Sequence, residues 1–344
     1  MIKDDWCGSM KNLKIYLVGF GNIGVGFAKI LAKKAEAYRE RYGLNILLTG
    51  ISFAEGSYVS GKGIPLDEAI GYATARKLQK HKLYTNESFD DVIGKVDADI
   101  LVEATPTNID SGQPGLKHIN AAFDRGMHVV TSNKSIVVDF HKLVECAEKA
   151  GLEFKYEATV GGGIPIFSMY RQCLQSQDVI SIRGILNGTT NYILTRMYED
   201  GLSFDSALQQ AKEMGIAEAN SSYDVDGIDS TAKLVILSNA ILGTNHRYKD
   251  VKREGIANIS LEAIQMAKKH GFAIRLIGQS DGRHLVVKPR LVSVRSPLNV
   301  GGTLNALEFE TELLDTLTIV GKGAGSIESS SAVMSDVISI GSRC

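Results

Sequence analysis

The alternation of apolar and polar positions predicts most of the elements. Residues 14–19, KIYLVG, form a short apolar run of β type, and GFGNIG follows at once. VGFAKILAKKAEAYRERYG then repeats apolar positions at helical spacing and stops at Gly43. NILLTGISF reads as a second strand and residues 67–81 as a helix. ADILVEAT (98–105) is a strand, 114–125 a helix, 128–131 a strand, 139–150 a helix, and LEFKYEATV another strand. Strands alternating with helices predict a parallel sheet with right-handed crossovers. The rhythm changes after residue 160. VGGGIPIF opens on three glycines and runs into a helix, while RLIGQS, LVVKPRLVSV and ELLDTLTIVGKG have the short strands of an antiparallel sheet. The pattern alone predicts an α/β domain followed by an α+β domain.

Composition adds exclusions. The chain has 344 residues, 44% hydrophobic and 22% charged, ordinary values for a globular protein. Lys and Arg number 38 against 39 acids, so net charge gives no reason to expect nucleic acid or an anionic membrane as partner. No apolar run approaches the roughly 18 residues of a membrane span; the longest, near Leu234–Leu242, is interrupted by Ser238 and Asn239. The start, MIKDDWCGSM, carries acids and no apolar stretch, and reads as a loose tail rather than a secretory signal. Cys7, Cys146, Cys173 and Cys344 lie far apart with no CxxC pair, which fits reduced thiols in a cytoplasmic protein. Cys344 reads as a free terminal thiol, with a cross-link between subunits the less favoured alternative.

The first chemistry is in Gly19-Phe20-Gly21-Asn22-Ile23-Gly24, between a strand and a helix, the context a Rossmann dinucleotide turn requires. Gly19 permits the tight turn, Gly21 lets backbone approach a pyrophosphate, and Gly24 lets helix and strand pack closely. Asn22 and Ile23 open the helix whose N–H groups face the phosphates. An acid at the tip of the second strand would select NAD. The strand ends Ser52-Phe53-Ala54-Glu55 instead, and neither Glu55 nor Lys62 settles the choice, so the cofactor is NAD(P).

Further polar positions stand out. Asp229 and Lys233 are four apart on a helix that starts near Gly227 and share one face. Asp226 suits the N-cap of that helix. Lys134 follows a strand end, where parallel sheets hold ligands. Asn187-Gly188-Thr189-Thr190-Asn191 is a polar turn before an apolar helix, and capping is one of its jobs. Glu157 to Ile164 reads as a glycine-rich hinge.

Long strings resemble homoserine dehydrogenase: EATPTN (103–108), HVVTSNK (128–134), EATVGGGIPI (157–166), GILNGTTNYILTRM (184–197), GIAEANSSYDVDGIDSTAKLVIL (215–237) and the final GKGAGS…SAVMSDVI. They follow in order over nearly the whole chain and resemble the short form, without aspartokinase or ACT domain. The resemblance implies an α/β Rossmann dinucleotide-binding domain (1–150), an α+β catalytic and dimerisation domain (151–317) and a C-terminal segment (318–344) returning to the first. It implies reversible NAD(P)H-dependent reduction of L-aspartate 4-semialdehyde to L-homoserine, in threonine, methionine and isoleucine biosynthesis, by a cytoplasmic homodimer. By position it implies Lys233, Lys134 and Asp229 as catalytic, with either lysine as the acid. Glu218, Asp224, Lys233, Thr189 and Thr190 would hold the substrate. Thr105, Pro106, Lys134 and Gly325 would join Gly19, Gly21, Asn22, Ile23 and Gly24 around the cofactor. Glu157 with the carbonyls of Val160, Gly162 and Ile164 matches a sodium-binding loop.

Two positions depart from the family. Phe53 replaces its usual Asp, and Glu328-Ser329-Ser330-Ser331 replaces its Pro-Thr-Ala stretch, Ser329 keeping a hydroxyl. Competing readings are a dehydrogenase of another small amino or hydroxy acid, and an NAD(P)-binding sensor.

Overall fold

A computed structural model describes residues 10–343, so the tail before Met10, Cys7 and Cys344 lie outside the described residues. The chain divides into two compact units, one running to Thr159 and resuming at Ser326, the other spanning Val160–Gly325.

The first unit contains β1 (Lys11–Val18), α1 (Asn22–Tyr42), β2 (Leu44–Phe53), β3 (Gly56–Val59), α2 (Leu66–Thr74), β4 (Tyr84–Thr85) and α3 (Phe89–Val92). It continues with β5 (Ile100–Glu103), α4 (Gly115–Phe123), β6 (His128–Thr131), α5 (Phe140–Lys149) and β7 (Phe154–Lys155). The sheet order is β4-β3-β2-β1-β5-β6-β7. From β2 to β7 every pair is parallel, as the α/β rhythm predicts. β3 and β4 are antiparallel additions at the edge. They arise because the chain reverses at Ala54-Glu55 directly after Phe53, instead of entering a crossover. The helix expected over 67–81 ends at Thr74, since Arg76 takes φ 54°, outside the helical region. LEFKYEATV supplies only a two-residue strand, and Glu157–Thr159 coils into a 3₁₀ turn.

The second unit contains α6 (Ile166–Cys173), β8 (Val179–Ile185), α7 (Gly188–Asp200), α8 (Phe204–Glu213), α9 (Ser222–Val225) and α10 (Ile228–Ile241). Then come β9 (Lys252–Arg253), α11 (Leu261–Lys269), β10 (Phe272–Ser280), β11 (Leu285–Ser293), β12 (Leu304–Thr311) and β13 (Asp315–Lys322). Its sheet, ordered β13-β12-β8-β10-β11-β9, is antiparallel except for the short β9–β11 pair. Nearly every residue of α10 from Asp229 to Ile241 is buried. A helix apolar on all sides belongs inside, and Asp229 and Lys233 are its two charged residues.

The final helix, α12 (Ser326–Gly341), belongs to the first unit. Its Val333, Met334, Val337 and Ile340 join Leu13, Ile15, Phe27 and Leu31 in one core. Burying each such side chain contributes about 1.5–3 kcal/mol. At its start, Ser326 Oγ donates to the Asn22 carbonyl (2.6 Å) and Ser330 Oγ to the Ile23 carbonyl (2.9 Å). Gly26 makes this possible, because a Cβ there would collide with Ser330 Oγ.

Candidate active site

The glycine turn is built as the fingerprint requires. Gly19 sits at φ 99°, and a Cβ on it would lie 2.5 Å from the carbonyl of Ala104 on the β5 end. A Cβ on Gly24 would strike the Gly19 carbonyl oxygen. Gly21 faces open space and caps α1 without any side-chain hydrogen bond, and the first turn of α1 has no acid. The helix therefore presents unsatisfied N–H groups and a positive dipole end, with nothing of its own to occupy them. That arrangement fits a dinucleotide diphosphate. A groove of about 1750 Å³ starts at Gly21 and Asn22 and continues along α1 and α12 to Tyr42, far past the turn.

At the tip of β2, Ser52 Oγ bonds Tyr16 Oη (2.6 Å) and Ser57 Oγ (2.7 Å). Phe53 meets Tyr58 edge-on at 5.1 Å and stacks near Tyr84 at 6.3 Å. An aromatic hairpin thus stands where an acid would bind ribose. Glu55 is exposed in the β2–β3 turn, its carbonyl accepting from Tyr84 Oη at 2.8 Å. Lys62 is exposed beyond β3.

The ends of β5 and β6 form a second wall. Asn133 Nδ2 donates to the carbonyls of Thr105 (3.1 Å) and Pro106 (3.3 Å) and to Thr105 Oγ1 (3.2 Å). Asn133 Oδ1 accepts from Ser135 N at 2.9 Å and so caps the 3₁₀ turn that Lys134 begins. The Lys134 N–H donates to Thr107 Oγ1 at 3.3 Å. Thr105 and Pro106 are therefore held by the Asn133 side chain, and Lys134 by the hydroxyl of Thr107.

The second unit concentrates its chemistry at α10. Lys233 Nζ donates to Asp229 Oδ2 and to the Leu186 carbonyl, both at 2.7 Å. Lysine and aspartate side chains are each 8% exposed. The shared face expected from their spacing is real, and an ammonium with three protons keeps one N–H for a ligand. Asn187 joins this pair to Asp224. Its Nδ2 donates to Asp224 Oδ1 (2.6 Å) and Asp229 Oδ2 (3.0 Å), while its Oδ1 caps α7 through Thr190 N (2.9 Å). Burial pushes the Asp224 carboxyl above the usual range; the Asn187 hydrogen bond opposes that shift and the charge of Asp229 reinforces it.

The other substrate candidates differ in surroundings. Thr190 is fully buried, its hydroxyl turned back to Asn187. Thr189 donates to the Ile216 carbonyl at 3.2 Å. Glu218 is exposed on the loop between α8 and α9, with no hydrogen bond or ion pair among the described residues. Asp226 does not cap α10; the cap is Gly227 at φ 74°, with no side-chain bond. The bridging role of Asn187 was not readable from its capping position, because Asp224 and Asp229 are distant in sequence. Glu103 and His118 also escaped notice, although Glu103 stands in EATPTN.

The loop residues Val160, Gly162 and Ile164 open the second unit, whereas Glu157 closes the first continuous stretch. Glu157 is buried, its N–H donating to Asp336 Oδ2 at 3.0 Å. The Ile164 carbonyl already accepts from Ile166 N at 2.9 Å, which leaves a second lone pair. Among the described residues no three His, Cys, Asp or Glu gather as a metal cluster, and no helix is long and apolar enough to cross a membrane. Gly325, at φ 138°, ends the second unit just before α12. Glu328 lies in the first turn of α12, where a negative charge favours the helix dipole.

Comparison with known proteins gives these features a common setting. The family model described as homoserine dehydrogenase matches residues 165–338, and the model of the homoserine dehydrogenase NAD-binding domain matches residues 19–157. A homoserine dehydrogenase of Methanocaldococcus jannaschii is 44% identical, over 95% of this chain and 98% of its own length. An NAD(+)-dependent homoserine dehydrogenase of Pseudomonas canavaninivorans is 35% identical, over 96% and 97%. A solved hyperthermophilic archaeal homoserine dehydrogenase in complex with NADPH superposes with a TM-score of 0.84 at 27% identity, covering 97% of this chain and 99% of that one. The resemblance read from the motifs is borne out, as are the Rossmann and α+β classes and the NAD(P) cofactor. The chain belongs to the homoserine dehydrogenase family.

Proposed function

We propose that the chain reduces L-aspartate 4-semialdehyde to L-homoserine, reversibly, with Lys233 as the proton donor. The observation that carries this reading is the buried Asp229–Lys233 pair, which keeps one ammonium N–H uncommitted. When bound, NAD(P)H supplies the hydride to the aldehyde carbon. Lys233 delivers a proton to the carbonyl oxygen, directly or through a water, while Asp229 holds its ammonium in place. Glu218 and Asp224 bind the substrate ammonium, and Thr189 and Thr190 line the carboxylate end. Lys134 handles protons beside the nicotinamide, with Thr105, Pro106 and Gly325 along the cofactor. Glu157, Val160, Gly162 and Ile164 would hold a sodium ion.

The unit that runs to Thr159 and resumes at Ser326 then serves the cofactor, and Val160–Gly325 the substrate and dimerisation, so the boundaries fall later than the 150 and 317 expected from the sequence. A cytoplasmic homodimer goes with this reading. Exposed Ile180, Leu313, Leu314 and Val320, on β8, β13 and the β12–β13 turn, give it an apolar surface to cover.

Purified protein should consume NADH or NADPH in the presence of the semialdehyde, and no rate above background with either overturns the reading. Lys233→Ala should lower kcat by about 10²–10⁴-fold; a near-normal kcat removes the lysine from this role.

A further inference from the structure

Glu103 is wholly removed from solvent at the C-terminal end of β5, after Ile100, Leu101 and Val102 and between Val18 of β1 and Thr131 of β6. A buried carboxylate is costly unless donors surround it. It can only accept, so every close polar neighbour must bring a proton. The Thr105 N–H does so at 3.2 Å, with the Thr105 hydroxyl closer still. His118 Nδ1 stands at 3.4 Å, and the Thr131 hydroxyl shares its proton between the Glu103 carbonyl (3.3 Å) and the carboxylate (3.4 Å). His118 is itself buried on α4, its ring 4.2 Å from that of Phe89, and it is the Nδ1–H tautomer that donates to a carboxylate here.

Two routes lead from this carboxylate to residue 133. Thr105, with its proton directed at Glu103, offers its oxygen to Asn133 Nδ2 at 3.2 Å. Thr131 Oγ1 accepts from Asn133 N at 3.0 Å. Asn133 then caps the turn that Lys134 begins. On the other side, Gly115 leaves no spare room. A Cβ there would lie 2.9 Å from Asn133 Nδ2 and 2.5 Å from Ser135 Oγ.

We propose that Glu103, steadied by His118, is a positioning residue of the dehydrogenase: it fixes the 105–107 loop and, through Asn133, the backbone of Lys134. The inference rests on the reading that these residues border the nicotinamide. Displacing a reacting group by about 1 Å costs on the order of 10²-fold in rate.

The test compares the full-length chain with Glu103→Gln, which keeps the volume but turns an acceptor into a donor facing donors. Gly115→Ala presses on Asn133 from the opposite side, and His118→Leu removes the Nδ1 donor. Steady-state rates with homoserine are measured, and NADPH affinity is titrated by fluorescence without turnover. In all three variants kcat should fall tenfold or more and the NADPH Kd should rise threefold or more, with homoserine KM within threefold of the parent. Wild-type kcat and NADPH Kd in folded Glu103→Gln, even with a lower Tm, overturn the proposal. Should that variant not fold, wild-type values in Gly115→Ala and His118→Leu overturn it. A parent chain inactive on the semialdehyde would sink the reaction reading, and the NADPH titration would still decide the positioning role.

Discussion

Replacing Asn187 with Asp changes one NH₂ group into an oxygen, and its consequence can be worked from the distances. Asp caps a helix as well as Asn does, so the start of α7 is kept. The two hydrogen bonds to Asp224 and Asp229, at 2.6 and 3.0 Å, become contacts between acceptors. Hydrogen bonds to charged groups are worth about 1.5–3 kcal/mol each. At about 3 Å and an effective dielectric of about 20, two carboxylates repel by about 5 kcal/mol. Lys233, 2.7 Å from Asp229, offsets part of this. The cluster escapes the rest by taking up a proton, which costs about 1.4 kcal/mol for each pH unit above the ordinary carboxyl range. At pH 8 that is about 5 kcal/mol, and at pH 5.5 about 2 kcal/mol. The introduced carboxyl has a raised pKa in the folded state. Its favourable contribution is complete below the unfolded pKa and is lost as pH rises through the folded one. Urea unfolding of parent and Asn187→Asp, followed by circular dichroism at both pH values, should therefore give a stability deficit about 3 kcal/mol larger at pH 8. An equal deficit at the two pH values refutes the bridging role of Asn187.

Gly19→Ala should lower Tm and raise KM for NADPH several-fold, since its Cβ meets backbone of Ala104 at 2.5 Å and φ 99° is strained for alanine by about 1–3 kcal/mol. Phe53→Asp should lower the NADPH to NADH ratio of kcat/KM at least tenfold, because the new carboxylate repels a 2′-phosphate and accepts from a ribose 2′-OH; an unchanged ratio would detach the β2 tip from cofactor choice. Asp224 has its pKa raised from 3.8 by burial. Its contribution to stability is therefore full below 3.8 and declines as pH rises through the raised value. Where its charge holds the substrate, homoserine KM should climb as pH falls through that same value, and Asp224→Asn should flatten this profile.

Periodicity was a reliable guide where one physical cause dominated. The strand 128–131 is β6 unaltered, because Val129 and Val130, buried between His128 and Thr131, have no competing use. The Asp229–Lys233 pair was legible because helical spacing alone brings positions four apart together. What depended on distant partners was not legible. Phe53 gave no hint of the antiparallel edge, since that edge is made by its packing with Tyr58 and Tyr84. LEFKYEATV has strand composition, yet after Lys155 its backbone coils, with Glu157 N bonded to Asp336 of α12. Ser326 stands in the matching GKGAGS string and Ser330 in the departing stretch, and the purpose of both shows only beside the carbonyls of Asn22 and Ile23.

The docking of α12 on α1 has a consequence for how the protein is made. A ribosome releases residues 10–159 first, with the sheet and the glycine turn already present in the sequence but with Val333, Met334, Val337 and Ile340 missing from their core. The whole of Val160–Gly325 must then emerge before the helix that fills the gap. The first domain to be synthesised is thus completed after the second, and until then an apolar flank of α1 stands open in the nascent chain. Folding from the N-terminus onward, usual for chains of several domains, is closed here by a late segment, and a chain arrested before Ser326 would carry its cofactor turn on an incomplete core.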